Sequence, residues 1–331
     1  MKLAAILFVA ACGTETPISV TSVEDLGAFP LPPDGVGRDG GASGMLGGQI
    51  LWTFGDTFLS GPNAIDGASV LSATSGWSTP AAPLDLVHSM NGDEPAQLIP
   101  YTADEIAANQ ADALNGYALW PGNLIPVDDS QGIVTFQHVK RSGGSSFAVD
   151  YVGTATIHAG ETTATRNPGQ MPDLFVPQFR VDDRYYAWAC ESSGFLAFSC
   201  KLARSTDLAT WEFYDGHTYQ SDPANAAYVI DQTSVGPTVA RYGGRYITTS
   251  CDIVSSTIRI RTADAIEGPW DDGVTIDAGA SGILAPKSSS DYNYLCNQHP
   301  ELAEDGSIVI SYSRPTDPFR GEVRLARINL L

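Results

Sequence analysis

The sequence predicts an all-β fold, a five-bladed β-propeller, from three observations. Apolar residues alternate with polar ones along most of the chain and do not recur at helical spacing, which is the pattern of half-buried strands. Glycine and proline, 33 and 21 in number, cut the chain into pieces of strand length. A strand–turn–strand unit also recurs: Phe175-Val-Pro-Gln-Phe-Arg-Val-Asp-Asp-Arg-Tyr-Tyr is echoed by Gly236-Pro-Thr-Val-Ala-Arg-Tyr-Gly-Gly-Arg-Tyr-Ile and by His299-Pro-Glu-Leu-Ala-Glu-Asp-Gly-Ser-Ile-Val-Ile. A four-stranded sheet cannot bury both faces alone, so repeats of this kind mean blades packed in a ring. A two-sheet sandwich is the alternative, but it gives no reason for Arg184-Tyr-Tyr and Arg245-Tyr-Ile to stand at matching places.

In chain order, residues 1–18 read as a signal segment with its linker, and 19–331 as the propeller domain. Lys2 precedes an apolar run too short to span a bilayer. Val9-Ala10-Ala11-Cys12 resembles the bacterial lipobox, which implies export, a lipid on Cys12, and attachment to the outer membrane or cell surface through that anchor alone. The stretch Gly37 to Phe58 sets Asp39 in a glycine-rich loop and Asp56 just after the apolar run Ile50 to Phe54. A turn at Gly47-Gly48 would fold this stretch into a hairpin and let the two carboxylates approach at one end of a sheet. Ala68 to Ala73 reads as the neighbouring strand. Residues 89–115 change to Ala, Asp, Glu, Gln and Asn, and a short helix beginning near Thr102 is expected there as a loop insertion. Blade starts are expected near 48, 124, 174, 236 and 299.

The chain carries 38 acidic against 18 basic residues, a formal charge of −20. With no dense basic run to neutralise phosphate, nucleic acid and anionic lipid headgroups are set aside as partners, and a neutral glycan taken up by a monomer is the expectation. If Cys12 carries lipid, Cys190, Cys200, Cys251 and Cys296 remain, an even number that suggests two disulfides in an exported chain. Cys190 and Cys200 flank a glycine-containing turn and form the favoured first bridge, which leaves Cys251 with Cys296. No C-x-x-C occurs and the histidines His88, His138, His158, His217 and His299 are scattered, so no metal site and no cofactor is expected, with the central channel left open to a structural ion.

The blade strings Gly236-Pro-Thr-Val-Ala-Arg-Tyr-Gly-Gly-Arg-Tyr and Glu267-Gly-Pro-Trp270 resemble those of the five-bladed propeller glycosidases of the arabinanase, xylosidase and fructosidase type. Arg38-Asp39-Gly40-Gly41 followed by Phe54-Gly55-Asp56-Thr57-Phe58 is similar, more narrowly, to a family known as a domain of unknown function, some of whose members are endo-D-arabinofuranases acting on mycobacterial arabinan. Leu119-Trp120-Pro121, His299-Pro300-Glu301-Leu302 and Ile310-Ser-Tyr-Ser fit it too, and the likeness covers most of residues 30–331. The acidic insert around 89–115 departs from that group. The resemblance implies that Asp39 and Asp56 are the catalytic pair.

Glycosidic cleavage needs one protonated carboxylic acid and one carboxylate, so paired aspartates are the minimum kit, although both residues also suit local turns. Glu301, fixed beside His299 by Pro300, is the rival acid, because the related arabinanases use a glutamate from a later blade; a blade-edge ion pair to Arg314 is its structural alternative. Residues just before each first strand converge on the channel mouth, and Trp120, Asp173, Gln232, Ser234 and His299 are assigned there as substrate-binding, with Arg38 holding a substrate oxygen or orienting Asp39. Trp211 and Trp270 are expected in the core. The expected function is hydrolysis of furanosidic, arabinan-like linkages; the alternative is a propeller that binds glycan or protein without cleaving it.

Overall fold

Alternating strands and glycine turns build five antiparallel sheets, each ordered from an inner strand outward. The structure, a computed structural model, describes residues 18–143, 146–194, 197–232, 237–251, 257–276, 293–317 and 320–331. Cys12 and Ser234 lie outside the described residues. The first blade runs Gly35–Leu46, Gln49–Leu59, Val70–Thr79, Ala82–His88. The second runs Tyr117–Pro126, Gln131–Ser142, Ser146–His158, Thr165–Arg166. The third begins with Val176–Val181, Arg184–Gly194 and Ala197–Ser205, the fourth with Thr238–Tyr242, Arg245–Cys251 and Ile258–Ala263. The fifth uses Tyr294–Gln298, Ser307–Asp317 and Arg320–Leu330, and takes its outermost strand, Val20–Ala28, from the other end of the chain. That pairing, with Val20 opposite Leu330 and Val23 opposite Ile328, closes the ring.

The core is divided into wedges between neighbouring blades. Leu46, Leu51 and Ala73 of the first blade pack on Leu119, Leu124 and Phe136 of the second. Trp52 and Phe54 pack on Val309, Val323 and Leu325 of the fifth. Ile247, Ile258 and Ile260 of the fourth meet Ile308, Ile310 and Ile328. Each such side chain contributes roughly 1.5–3 kcal/mol when fully buried, and a single blade could bury only one of its two faces. Trp211 is 7% exposed in the third-blade wedge and Trp270 packs against the next, as expected.

Three blade starts differ from the sequence reading, that of the second blade because its inner strand Tyr117–Pro126 begins before Trp120 and not near 124. The first inner strand is Gly35–Leu46, not a strand beginning near 48, so Asp39 lies in a strand rather than a loop. Its glycines hide it: they remove the side-chain alternation by which a strand is recognised, and bulges interrupt its register at Arg38–Gly40 and Gly40–Ala42. The fifth inner strand is Tyr294–Gln298, and His299 follows its end instead of preceding it. The expected hairpin turn stands, with Gly47 and Gly48 at φ +59° and +76°. The expected helix is Ala103–Ala111, and Thr102 caps it through a capping box with Glu105. Both expected disulfides are present: Cys190 and Cys200 oppose each other across one hairpin, and Cys251–Cys296 ties the fourth blade to the fifth.

Candidate active site

The first hairpin has its turn at one end and its two aspartates at the other. Asp39 Oδ1 accepts a hydrogen bond from the backbone N–H of Asp56 at 2.8 Å, so the carboxyl of one residue is seated on the main chain of the other. Gly55 makes this possible, because a Cβ there would stand 2.7 Å from Asp39 Oδ1. Opposite Gly55, Ala73 adopts φ +58°, and beyond this kink both Ser72 and Asp56 reach toward the second blade. Ser72 Oγ lies 2.6 Å from Tyr101 Oη, and Asp56 Oδ1 lies 3.4 Å from Arg141 Nη2. The local distortion thus re-aims a strand side chain into the site.

The two carboxyls sit in unequal surroundings. Loss of water around Asp39, with the Asp56 charge beside it, pushes its pKa up to about 7, against the opposing bonds from Asp56 N–H and from Tyr294 Oη at 3.1 Å. Burial also raises the pKa of Asp56, but the Arg141 guanidinium and the Trp120 indole N–H both favour its ionised form. Two carboxyls this close do not both ionise readily, and the cation marks Asp56 as the one that keeps its charge. Below about pH 7 Asp39 keeps its proton, while Arg141 and Trp120 favour the charge on Asp56, the combination that acid-assisted displacement at an acetal carbon requires.

The remaining sequence-predicted residues divide. Trp120 joins the pair, from within the inner strand Tyr117–Pro126 rather than before it. Arg38 is 1% exposed, with its guanidinium 3.9 Å from the Phe54 ring centre and no hydrogen-bond partner among the described residues, and burial lowers its pKa to about 9. It lies beneath the surface, on the fifth-blade side of the hairpin. Asp173, at φ +45°, is exposed at the start of the third blade, where its charge acts on Lys201. Gln232 ends the strand Tyr228–Gln232, which pairs with Ala197–Ser205, so it borders the outer part of the third blade and not an inner-strand start.

His299 and Glu301 form a separate group. Tyr294 contacts Asp39, and His299 Nδ1, beyond the other end of that strand, lies 2.5 Å from Ser43 Oγ. The inner strands of the first and fifth blades therefore run side by side in one direction, and four residues of strand, roughly 13 Å, separate Asp39 from Ser43. Glu301 accepts a hydrogen bond from Ser43 and lies 3.6 Å from His299 Nδ1. Burial works to raise its pKa, yet the His299 and Ser43 contacts outweigh this and leave it low, the reverse of what a proton donor needs. Arg314 pairs with Glu322, not with Glu301. Glu301 thus joins two blades at the far rim while Asp39 and Asp56 meet at the other.

Sequence reasoning missed Arg141 and Tyr294. Arg141 is one of 18 cations in an acidic chain and ends a strand, a faint signal; Tyr294 has none, because its contact depends on the last blade closing against the first. Among the described residues no group of three His, Cys, Asp or Glu side chains could hold a metal ion.

Solved structures share this fold at low identity. The GH43 β-xylosidase/α-arabinofuranosidase CoXyl43 from a compost microbial metagenome is 12% identical, with a TM-score of 0.55 over 92% of this chain and 94% of that one. The GH43_1 enzyme from Xanthomonas citri is 12% identical, with a TM-score of 0.53 over 92% and 90%. A levansucrase (E342A) complexed with sucrose is 12% identical, with a TM-score of 0.52 over 94% and 84%. The search among curated proteins finds no match. The profile of the family described as "Domain of unknown function (DUF5005)" matches residues 34–322, a span that takes in both aspartates and the inner strands of all five blades, and the chain belongs to that family.

Proposed function

We propose that the chain is a glycoside hydrolase that cleaves furanosidic, arabinan-like linkages in a neutral polysaccharide, with Asp39 as general acid and Asp56 as the ionised partner. The observation that carries this is the aspartate pair: the Asp39 carboxyl is held 2.8 Å from the Asp56 backbone N–H with its pKa raised to about 7, and the Asp56 carboxyl lies beside the Arg141 guanidinium. In the reaction, the Asp39 proton passes to the glycosidic oxygen as its bond to the anomeric carbon breaks. The Asp56 carboxylate either attacks that carbon or takes a proton from the water that does. Enzymes of the same fold named as xylosidase and arabinofuranosidase support the substrate class, as does a net charge that disfavours anionic polymers.

The test is reducing-end release from arabinans and other polysaccharides by the parent, Asp39→Asn and Asp56→Asn. Each variant is expected to lose about 10²–10⁴ in rate, the range for a positioned acid or base. Full activity in both variants would overturn the assignment, and a parent inert on every polysaccharide would overturn the hydrolase reading.

A further inference from the structure

Phe147 is 50% exposed, an unusual position for a ring with no polar handle. It stands in the strand Ser146–His158 directly opposite Arg141, the residue whose guanidinium meets Asp56. Directly opposed residues of an antiparallel pair share a face, so the ring rises on the side from which Arg141 reaches the carboxylate. Trp120 closes the group: its ring centre lies 5.3 Å from that of Phe147 at 57°, and its indole N–H favours the ionised form of Asp56. Both residues that favour the charge on Asp56 are therefore neighbours of Phe147. Tyr228, the other exposed large apolar ring among the described residues, is already engaged, with its hydroxyl 2.6 Å from Glu191 and Lys201 over its face.

We propose that Phe147, backed by Trp120, is a stacking platform for one sugar ring of a neutral glycan, next to the bond served by Asp39 and Asp56. The C–H-lined face of a sugar is weakly positive and suits the negative face of an aromatic ring. The carboxylates and the net charge of −20 repel a uronate-bearing chain, which makes the occupant neutral. The proposal rests on the hydrolase reading for the bond that is cut; stacking needs only that the site binds glycan.

The experiment is gel retardation of the parent, Phe147→Ala, Phe147→Leu and Phe147→Trp by soluble arabinan, with initial rates on the same polymer. Phe147→Ala and Phe147→Leu are expected to weaken retardation by up to about tenfold and Phe147→Trp to retain it, with the loss in rate falling on KM more than on kcat. If the parent binds arabinan without cleaving it and the ranking holds, the platform stands and the assignment of arabinan as the cleaved substrate falls. Alanine or leucine variants that bind like the parent, or a parent that arabinan does not retard, would overturn the platform.

Discussion

At the scale of single residues, Asp39 and Asp56 show how one residue type takes two roles. Water is removed from both, and the difference comes from what replaces it: the Asp56 charge beside Asp39, and Arg141 with Trp120 beside Asp56. The acid must be protonated to act, so kcat/KM is expected to fall as pH rises through about 7. Folding has the same sign. The folded protein keeps the Asp39 proton up to about pH 7, while the unfolded chain releases it near 3.8, so stability falls as pH rises through that window and Asp39→Asn relieves the loss. On the acid side, Arg141→Met removes the cation that favours Asp56 ionisation, and the acidic limb of the rate profile is expected to move to higher pH. An unmoved acidic limb would mean that Arg141 does not govern Asp56. None of this partnering was legible in the sequence, because Arg141 and Tyr294 come from other blades and only closure of the ring brings them in.

At the scale of elements, the first hairpin carries the site. Its turn, its two carboxylates and their approach were legible, since Gly47-Gly48 between alternating stretches is a strong local signal. What was not legible was that Gly35–Leu46 is a strand and that Glu301 meets its opposite end from Asp39: five glycines erase the alternation of the first, and chain direction alone decides the second. Gly55 is the most sensitive point of this element. A methyl group there would press on Asp39 Oδ1, so Gly55→Ala is expected to abolish turnover while leaving the far-UV circular dichroism of the sheets. Retained turnover in Gly55→Ala would show that the seat of Asp39 is not needed. The Thr102 helix signal was read correctly for a simpler reason, as it depends on local chemistry, a capping box.

At the scale of the whole molecule, the ring holds the site because Asp39 belongs to the first blade, Tyr294 to the last, and Arg141 to the second. The outermost strand Val20–Ala28 and the Cys251–Cys296 bridge keep the closing blade in place. That bridge spans 45 residues, for which the chain-entropy model gives about 4 kcal/mol, so the Cys251→Ser, Cys296→Ser double variant should denature at clearly lower denaturant concentration. An unchanged midpoint would contradict its structural role. The most direct measurement of the central claim is a carboxyl ¹³C NMR titration of the parent and of Asp56→Asn. The account predicts that Asp39 titrates near pH 7 in the parent and at lower pH once the Asp56 charge is gone; an Asp39 that titrates at the ordinary ~3.9 in both proteins would contradict it.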